Sequence, residues 1–235
     1  MAGTYRAAHV KLAALMVIGM ASTLPETAMA DCSDSAGPNV NWSECRKRNL
    51  MLDGTDLSGA MMSGADLSST DLRKTVLDGV SLEKAQLDRA MMDGSKAQKA
   101  NFEKAQGVRS SFVGTNLAGA NFTKSEMQRA DFTDANLNGV NFEKSELARA
   151  MFTGADLSGV SFSYANIARA DLRGAKIAGP LDFTFAYMYR TRIDGLDLSS
   201  ATGLLQWQVD LACGDGATKL PAGLNASAQW PCAEE

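Results

Sequence analysis

Large apolar residues recur at every fifth position through the middle of the chain, and no other segment is as regular. From Leu52 to Ile177 these positions hold Leu, Met, Phe or Ile, and only Ala97 and Gly107 depart from the rule. The position two residues earlier holds Ala, Ser, Thr or Val in every case but Leu50. One large and one small side chain from each group of five are therefore expected to reach a common core.

A five-residue period does not fit the ordinary secondary structures. On an α-helix it advances by about 140° beyond a full turn, so the large side chains would be spread around the helix without forming one apolar face. On a strand, five is an odd number, and successive large residues would point to opposite sides of the sheet. The pattern predicts a chain that turns once per repeat and stacks its coils into a solenoid.

A slower period of twenty residues predicts four repeats in each coil. Residues 120–139 read ANFTKSEMQRADFTDANLNG and residues 140–159 read VNFEKSELARAMFTGADLSG, which match closely at this offset. The coils are expected to stack about 4.8 Å apart around a filled axis. Phenylalanines that recur every ten residues fall on two opposite sides of the coil: Phe102, Phe112, Phe122, Phe132, Phe142, Phe152 and Phe162.

Segments such as GTDLSGA at 54–60, GTNLAGANF at 114–122 and GADLSGV at 154–160 resemble the A(D/N)LXX motif of the pentapeptide-repeat family. The resemblance covers roughly 150 of the 235 residues. It implies an all-β fold, a right-handed quadrilateral β-helix, whose handedness is taken from the family alone. It also implies binding, since the family's known roles are mostly of that kind and include acidic rods that mimic DNA on topoisomerases.

Residues 1–30 have the features of a secretory signal peptide. Two basic residues precede an apolar run at 12–21, and residues 28–30 read AMA, a cleavage site before Asp31. The apolar run is too short to span a membrane. We therefore expect a soluble mature protein in the periplasm or outside the cell.

Signal removal would also change the chemistry that the chain can perform. It takes away His9, the only histidine, together with two cations and one anion, so the net charge goes from −4 to −5. Without imidazole, Ser-His, Cys-His and His-metal mechanisms are excluded, and no cofactor or metal is expected. The mildly acidic balance gives no general affinity for nucleic acid. We expect no enzyme, since a filled axis leaves no pocket for a pair of catalytic carboxylates.

Four cysteines lie at the two ends of the repeats, and an even number in an exported protein indicates disulfides. Three connectivities are open, of which Cys32 with Cys45 and Cys213 with Cys232 need no long-range closure. The chain is accordingly divided into a signal peptide at 1–30, an N-terminal cap at 31–49, a solenoid at 50–201, and a C-terminal helix and cap loop at 202–235.

Two columns of cations are expected on the outside of the rod. One is a lysine column of Lys84, Lys104, Lys124 and Lys144, and the other is an arginine column of Arg89, Arg109, Arg129, Arg149 and Arg169. Such columns could grip a polyanion such as lipopolysaccharide. The sequence favours a solvated surface instead, because acids stand nearby to offset the repulsion between like charges: Glu83, Glu103, Glu126, Glu143 and Glu146.

The five-residue register slips by one at Gly179-Pro180, which predicts a corner insertion before a final coil. In that coil a cluster of aromatic and arginine side chains is expected to point outward and is a candidate partner-binding patch. The alternative is that the C-terminal tail folds back over the patch. Its residues are Phe185, Tyr187, Tyr189, Arg190 and Arg192.

Beyond the repeats, a short helix is predicted over 203–212, with Thr202 as its cap and Leu205 and Trp207 among its apolar residues. This helix is expected to cover the last coil, and the C-terminal end could also pair two copies of the chain. We expect an exported, non-catalytic binding or structural module that presents flat faces to a protein, an envelope component or a polyanion. The alternative is a DNA-mimicking, topoisomerase-binding protein, if the chain stays in the cytosol.

Overall fold

The computed structural model describes residues 30–233, and the backbone there winds into a stack of coils. Parallel bridges join residues of successive coils, as between Asn121 and Asn141 or between Glu126 and Glu146. A bridge occurs at every fifth residue and reaches 20 residues ahead through most of the stack. The prediction of four repeats per coil is therefore confirmed. Residues 1–29 of the predicted signal peptide lie outside the described residues.

The bridges are each one residue wide, so the described chain contains no extended strand. Each repeat has its turn at the third and fourth residues, which leaves too little length between turns for a longer ladder. The predicted all-β class therefore takes the form of isolated parallel bridges. The one helix in the described residues is α1, Gln206–Leu211.

Hydrogen bonding of the backbone explains the repeat motif, as residues 121–125 illustrate. Asn121, Phe122 and Lys124 donate their backbone N–H groups to carbonyls of adjacent coils at 2.7–3.0 Å, and Ser125 donates to the carbonyl of Phe122 at 3.0 Å. The fifth N–H, that of Thr123, donates to the Oδ1 atom of the Asn121 side chain at 3.0 Å. Every N–H group of the repeat is thus satisfied.

We call the residue of each repeat that forms the parallel bridge, such as Asn121, the bridge residue. The same side-chain contact recurs wherever this residue is Asp or Asn, for example from the Ser58 N–H to Asp56 at 2.9 Å. In the three repeats that begin at Lys96, Gln106 and Ser111, an aspartate of the preceding coil replaces it. Asp88 accepts from the backbone N–H of Val108 at 2.9 Å in this way. The preference for Asp and Asn at this position therefore comes from one otherwise unsatisfied donor per repeat.

Phenylalanine rings fill much of the axis in two stacked columns. The rings of Phe102 and Phe122 lie 4.4 Å apart and nearly parallel, and those of Phe112 and Phe132 lie 4.8 Å apart in the second column. Rings of the two columns meet edge to face, as Phe112 and Phe122 do at 5.7 Å. Since these side chains are fully buried, the predicted hydrocarbon axis is confirmed.

The gap that Gly107 leaves in the core is filled from the next coil. A Cβ atom at Gly107 would lie 2.6 Å from the Sδ atom of Met127, so the Met127 side chain already occupies this space. The hydroxyl of Ser110 donates to the carbonyl of Gly107 at 2.7 Å. Local repacking therefore closes the gap.

The ladder of bridges runs beyond both ends of the 50–201 segment. Asn41 pairs with Met61 inside the segment assigned to the N-terminal cap, and Lys219 pairs with Asp197 inside the C-terminal segment. The predicted corner insertion is confirmed, because the bridge from Ser161 reaches 21 residues ahead. The buried side chain of Trp42 closes the first coil.

The helix differs from its prediction in its cap and in the face that it buries. Thr202 forms a bridge with Asp182, and the residue before the helix is Leu205, whose N–H donates to the side chain of Gln208 at 2.8 Å. Leu205 and Trp207 are exposed, whereas Gln208 is fully buried. The Gln208 amide donates to two carbonyls of the last coil, at 2.7 and 3.0 Å. Leu204 and Val209 are also buried, so this end of the stack is covered by apolar packing together with the Gln208 amide.

Two disulfides close the ends of the described chain. Cys32 is bonded to Cys45, and Cys213 is bonded to Cys232, with Cα–Cα distances of 5.4 Å in both pairs. These are the two pairings that need no long-range closure.

Replacement of Phe122 by Ala should lower the free energy of unfolding by about 3–5 kcal/mol, because it removes a ring that is stacked in the core and leaves a cavity. Phe185→Ala is the matched control, since the Phe185 ring is 55% exposed. That change should cost less than about 1 kcal/mol. Urea denaturation of both variants measures the difference, and equal losses would contradict a filled axis.

Acid should destabilise the coils through the aspartates that accept backbone hydrogen bonds. The backbone hydrogen bond from Ser58 lowers the pKa of Asp56. Burial would raise the pKa of Asp182, but hydrogen bonds from Thr184 and Ser161 hold it below its ordinary value of 3.8. A lowered pKa contributes stability that is present above the unfolded value and is lost as the pH falls through the folded one.

The free energy of unfolding should therefore fall as the pH is lowered from about 5 to about 2, measured by urea denaturation at each pH. The double variant Asp56→Asn/Asp182→Asn is the control, because the Asn side chain keeps the acceptor oxygen and does not titrate. Its pH dependence should be shallower than that of the wild type. An unchanged slope would contradict the role assigned to these carboxylates.

Candidate binding surfaces

The charged and aromatic side chains that could bind a partner lie on the outside of the rod, because apolar side chains fill the axis. Within residues 30–233, no three or more His, Cys, Asp or Glu side chains are grouped so as to hold a metal ion. In the same part of the chain, no helix is long and apolar enough to cross a membrane. The candidate surfaces are therefore the outer columns and the C-terminal end.

The lysine column is neutralised by adjacent glutamates. The ammonium of Lys104 lies 2.8 Å from the Glu103 carboxylate, and that of Lys144 lies 2.6 Å from Glu143. Lys84 and Glu83 form the same pair at 3.1 Å. The side-chain hydrogen bond from Lys104 lowers the pKa of Glu103. This column behaves as the balanced, solvated surface that the sequence favours.

The arginine column lacks such neighbours. Among the described residues, four of its members form no ion pair: Arg89, Arg109, Arg129 and Arg149. Glu126 and Glu146, expected from sequence to offset them, are not paired with them in this part of the chain; Glu146 accepts from the Asn166 side chain at 2.8 Å. The acids expected from the sequence therefore form no ion pairs with these four arginines in the described chain, and, apart from Asp88 before Arg89, the residue before each arginine of the column is uncharged: Val108, Gln128, Ala148 and Ala168.

Both cationic columns stand on corners of the coil where the backbone is left-handed. Lys104 has a φ of 57° and Arg129 a φ of 60°, values that disfavour residues other than glycine. On the other two corners the chain mostly uses glycine, as at Gly54, Gly94, Gly114, Gly154, Gly59, Gly79, Gly119 and Gly139. Cations are thus placed at positions where they cost more backbone energy than glycine would.

A shallow groove of about 360 Å³ runs beside the arginine column. Its lining consists of three arginines and the residue before each of them: Asp88, Arg89, Val108, Arg109, Gln128 and Arg129. A second groove of about 230 Å³ shares Arg89 and Asp88 with it and continues toward the N-terminal end. The groove is therefore longer than a single coil.

The aromatic cluster of the last coil is exposed, with 55% of Phe185, 46% of Tyr187 and 39% of Tyr189 accessible. Phe185 stacks on Tyr164 at a ring distance of 5.2 Å, and the Arg169 guanidinium lies 6.0 Å from the Tyr189 ring. The cluster thus continues the two cationic columns toward the C-terminal end.

Within residues 30–233, the C-terminal tail contacts the cluster at its Arg190 edge. The side chain of Arg190 donates to the carbonyl of Ala233 at 3.5 Å, and Arg192 is paired with Asp194 at 2.8 Å. A cleft of about 320 Å³ lies between Tyr189, Arg190 and the tail. The alternative that the tail covers the patch therefore holds for the Arg190 edge, and the aromatic rings stay accessible.

Two family models together match most of the coil stack. One, described as "Pentapeptide repeats (8 copies)", matches residues 43–79 and 70–106, and the other, "Pentapeptide repeat region", matches residues 106–183. The chain is a pentapeptide-repeat protein. No curated protein matches this pentapeptide-repeat protein.

Among solved structures, QnrB1 supports the fold assignment, and HetL is a weaker match. QnrB1, described as a plasmid-mediated fluoroquinolone resistance protein, is 17% identical with a TM-score of 0.52, over 75% of this pentapeptide-repeat protein and 92% of that chain. HetL, from the cyanobacterium Nostoc and described as involved in heterocyst differentiation regulation, is 26% identical with a TM-score of 0.38, over 79% and 91% of the two chains. The likeness to QnrB1 shows a shared β-helix fold.

Replacement of Arg129 by Gly should leave the fold intact and raise the free energy of unfolding by up to about 1 kcal/mol, because glycine adopts the left-handed corner without strain. Thermal and urea denaturation measure the change. The control is Gly139→Arg, which puts a new arginine on a glycine corner with a φ of 67° and should destabilise. Clear destabilisation by Arg129→Gly would indicate that this arginine has a structural role.

Proposed function

We propose that this chain is an exported, non-catalytic binding or structural module that acts through its outer surface on a protein or polyanionic partner. The observation that carries this proposal is the filled axis, in which side chains such as Phe122 and Leu137 are fully buried. Recognition groups are left on the corners and faces of the rod. A rigid surface of this kind suits binding, because little conformational freedom is lost on association.

Two features support export. Residues 1–30 have the pattern of a signal peptide, and all four cysteines are paired in disulfides. Disulfides persist in oxidising compartments such as the periplasm and the extracellular space.

The absence of catalysis is proposed from the carboxylates. Among the described residues, every carboxyl whose pKa departs clearly from its ordinary value has it lowered, as the Lys219 hydrogen bond lowers the pKa of Asp197 to about 2. A general acid that works near neutral pH needs a raised pKa. These carboxylates serve as hydrogen-bond acceptors for the coils instead.

Cell fractionation followed by mass spectrometry of the N-terminus tests the proposal. The chain should be recovered from the periplasm or the medium and should begin at Asp31. A variant with Ala28 and Ala30 changed to bulky residues is the control, and it should keep residues 1–30. Cytosolic protein with an intact N-terminus would contradict export and would favour the DNA-mimicking, topoisomerase-binding alternative.

A further inference from the structure

We propose that the arginine column binds a linear acidic polysaccharide, a polyuronate whose carboxylates pair with arginines along the column. The inference rests on the proposed function, in which the rod acts through its exterior, and it names the chemical class of the partner. Its starting point is the contrast between the two cationic columns, which occupy equivalent corner positions in the same repeats and differ in their neighbours.

In the lysine column the residue before the cation is an acid at Glu83, Glu103 and Glu143, and each acid lies within 3.1 Å of its lysine. In the arginine column the corresponding residues are Val108, Gln128 and Ala148. Three of the four lysines are thus neutralised, Lys124 after Thr123 being the exception, whereas in the arginine column only Arg89 follows an acid, Asp88, and forms no ion pair with it among the described residues. Since guanidinium groups bind carboxylates through paired hydrogen bonds, the column fits a row of carboxylates.

The arginine column carries two costs: the lysine column shares the first, at φ angles of 57–58°, and the second, repulsion without neutralising partners, argues that the arginines have a use. Arg109 and Arg149 have φ angles of 60° and 63°, which strain a residue that has a side chain. Successive coils also hold these like charges about 5 Å apart, where they repel each other. Glycine would avoid both costs, and the chain uses glycine at Gly119 and Gly139 on another corner of the same coils.

The geometry fits a ligand with one charge per short repeat. Adjacent arginines stand one coil apart, about 4.8 Å by the spacing of paired backbones, and a pyranose ring in a linear polyuronate is of similar length. The groove beside the arginines, of about 360 Å³, has Gln128 and Val108 in its lining. An amide offers hydrogen bonds to sugar hydroxyls, and an apolar side chain can face the ring.

A single-stranded nucleic acid fits the column less well. Such ligands are held by aromatic side chains on which successive bases stack. The groove from Arg89 to Arg129 has no aromatic residue among its described lining, and the aromatic ring next to the column is Tyr189, at its far end beside Arg169. A single ring at the end of the column could stack on a terminal sugar, but it cannot stack on several successive bases.

Isothermal titration calorimetry of the purified chain with polygalacturonate oligomers tests the inference. The same oligomers with methyl-esterified carboxylates are the matched control ligand, and they should not bind. The affinity should rise with oligomer length until the four unpaired arginines are spanned, and it should fall with salt. No binding of the charged oligomers would overturn the inference.

Two triple variants distinguish the contributions of the two columns to binding. Each variant removes three positive charges from equivalent corners of the coils. Arg109→Gln/Arg129→Gln/Arg149→Gln should weaken binding by at least about tenfold, whereas Lys104→Gln/Lys124→Gln/Lys144→Gln should weaken it by less than about threefold. Equal losses would overturn the assignment to the arginine column. Tighter binding of an oligothymidylate than of the polyuronate would overturn the polysaccharide in favour of a phosphate backbone.

A third variant keeps the inference testable if the arginine triple variant fails to fold. Asp88 is the acidic residue in the described lining of the groove, and its Oδ1 atom accepts from the backbone N–H of Val108. Asp88→Asn keeps this acceptor and removes the negative charge, so it should strengthen polyuronate binding by about twofold or more. Unchanged or weaker binding would count against the groove. If these tests fail but the protein is exported as proposed, the polysaccharide inference is overturned. The proposed function is then retained, with a protein as the partner.

Discussion

The structure depends on satisfying five backbone N–H groups in each repeat. Adjacent coils and the turn account for four of them, and the side chain of the bridge residue accepts the fifth, as Asn121 does for Thr123. An unsatisfied buried N–H group would cost about 1–3 kcal/mol in each of some thirty repeats. The requirement therefore favours Asp or Asn at the polar position of the motif, although an aspartate of the preceding coil can serve instead, as at Gln98, Val108 and Val113.

The sequence predicts the coil well because its signal is repeated many times. The five- and twenty-residue periods are sufficient for the four-sided coil, the phenylalanine columns and the corner insertion after Ile177. The right-handedness of the coil was predicted only from the family resemblance. The ends are less predictable, because features such as the buried Gln208 occur once and depend on tertiary contacts.

The ion pairs on the surface are also only partly predictable from the sequence. The positions of the cationic columns follow from the period, but their charge balance depends on which acid reaches which cation. Lys104 meets Glu103, whereas Glu146 turns to Asn166 and leaves Arg149 without an ion pair among the described residues. Sequence adjacency alone does not decide this pairing, since Arg48 pairs with Asp66 of the next coil and Arg73 pairs with Asp71 two residues earlier.

The buried amide of Gln208 has a consequence for the length of the assembly. A stack of coils ends in carbonyl groups that would accept another coil, either from the same chain or from a neighbouring molecule. Backbone N–H groups of the C-terminal segment occupy three of these acceptors, those of Leu181, Thr191 and Leu196. The Gln208 side chain takes the fourth, that of Ala186, and so completes the set of carbonyls on which a further coil would pair.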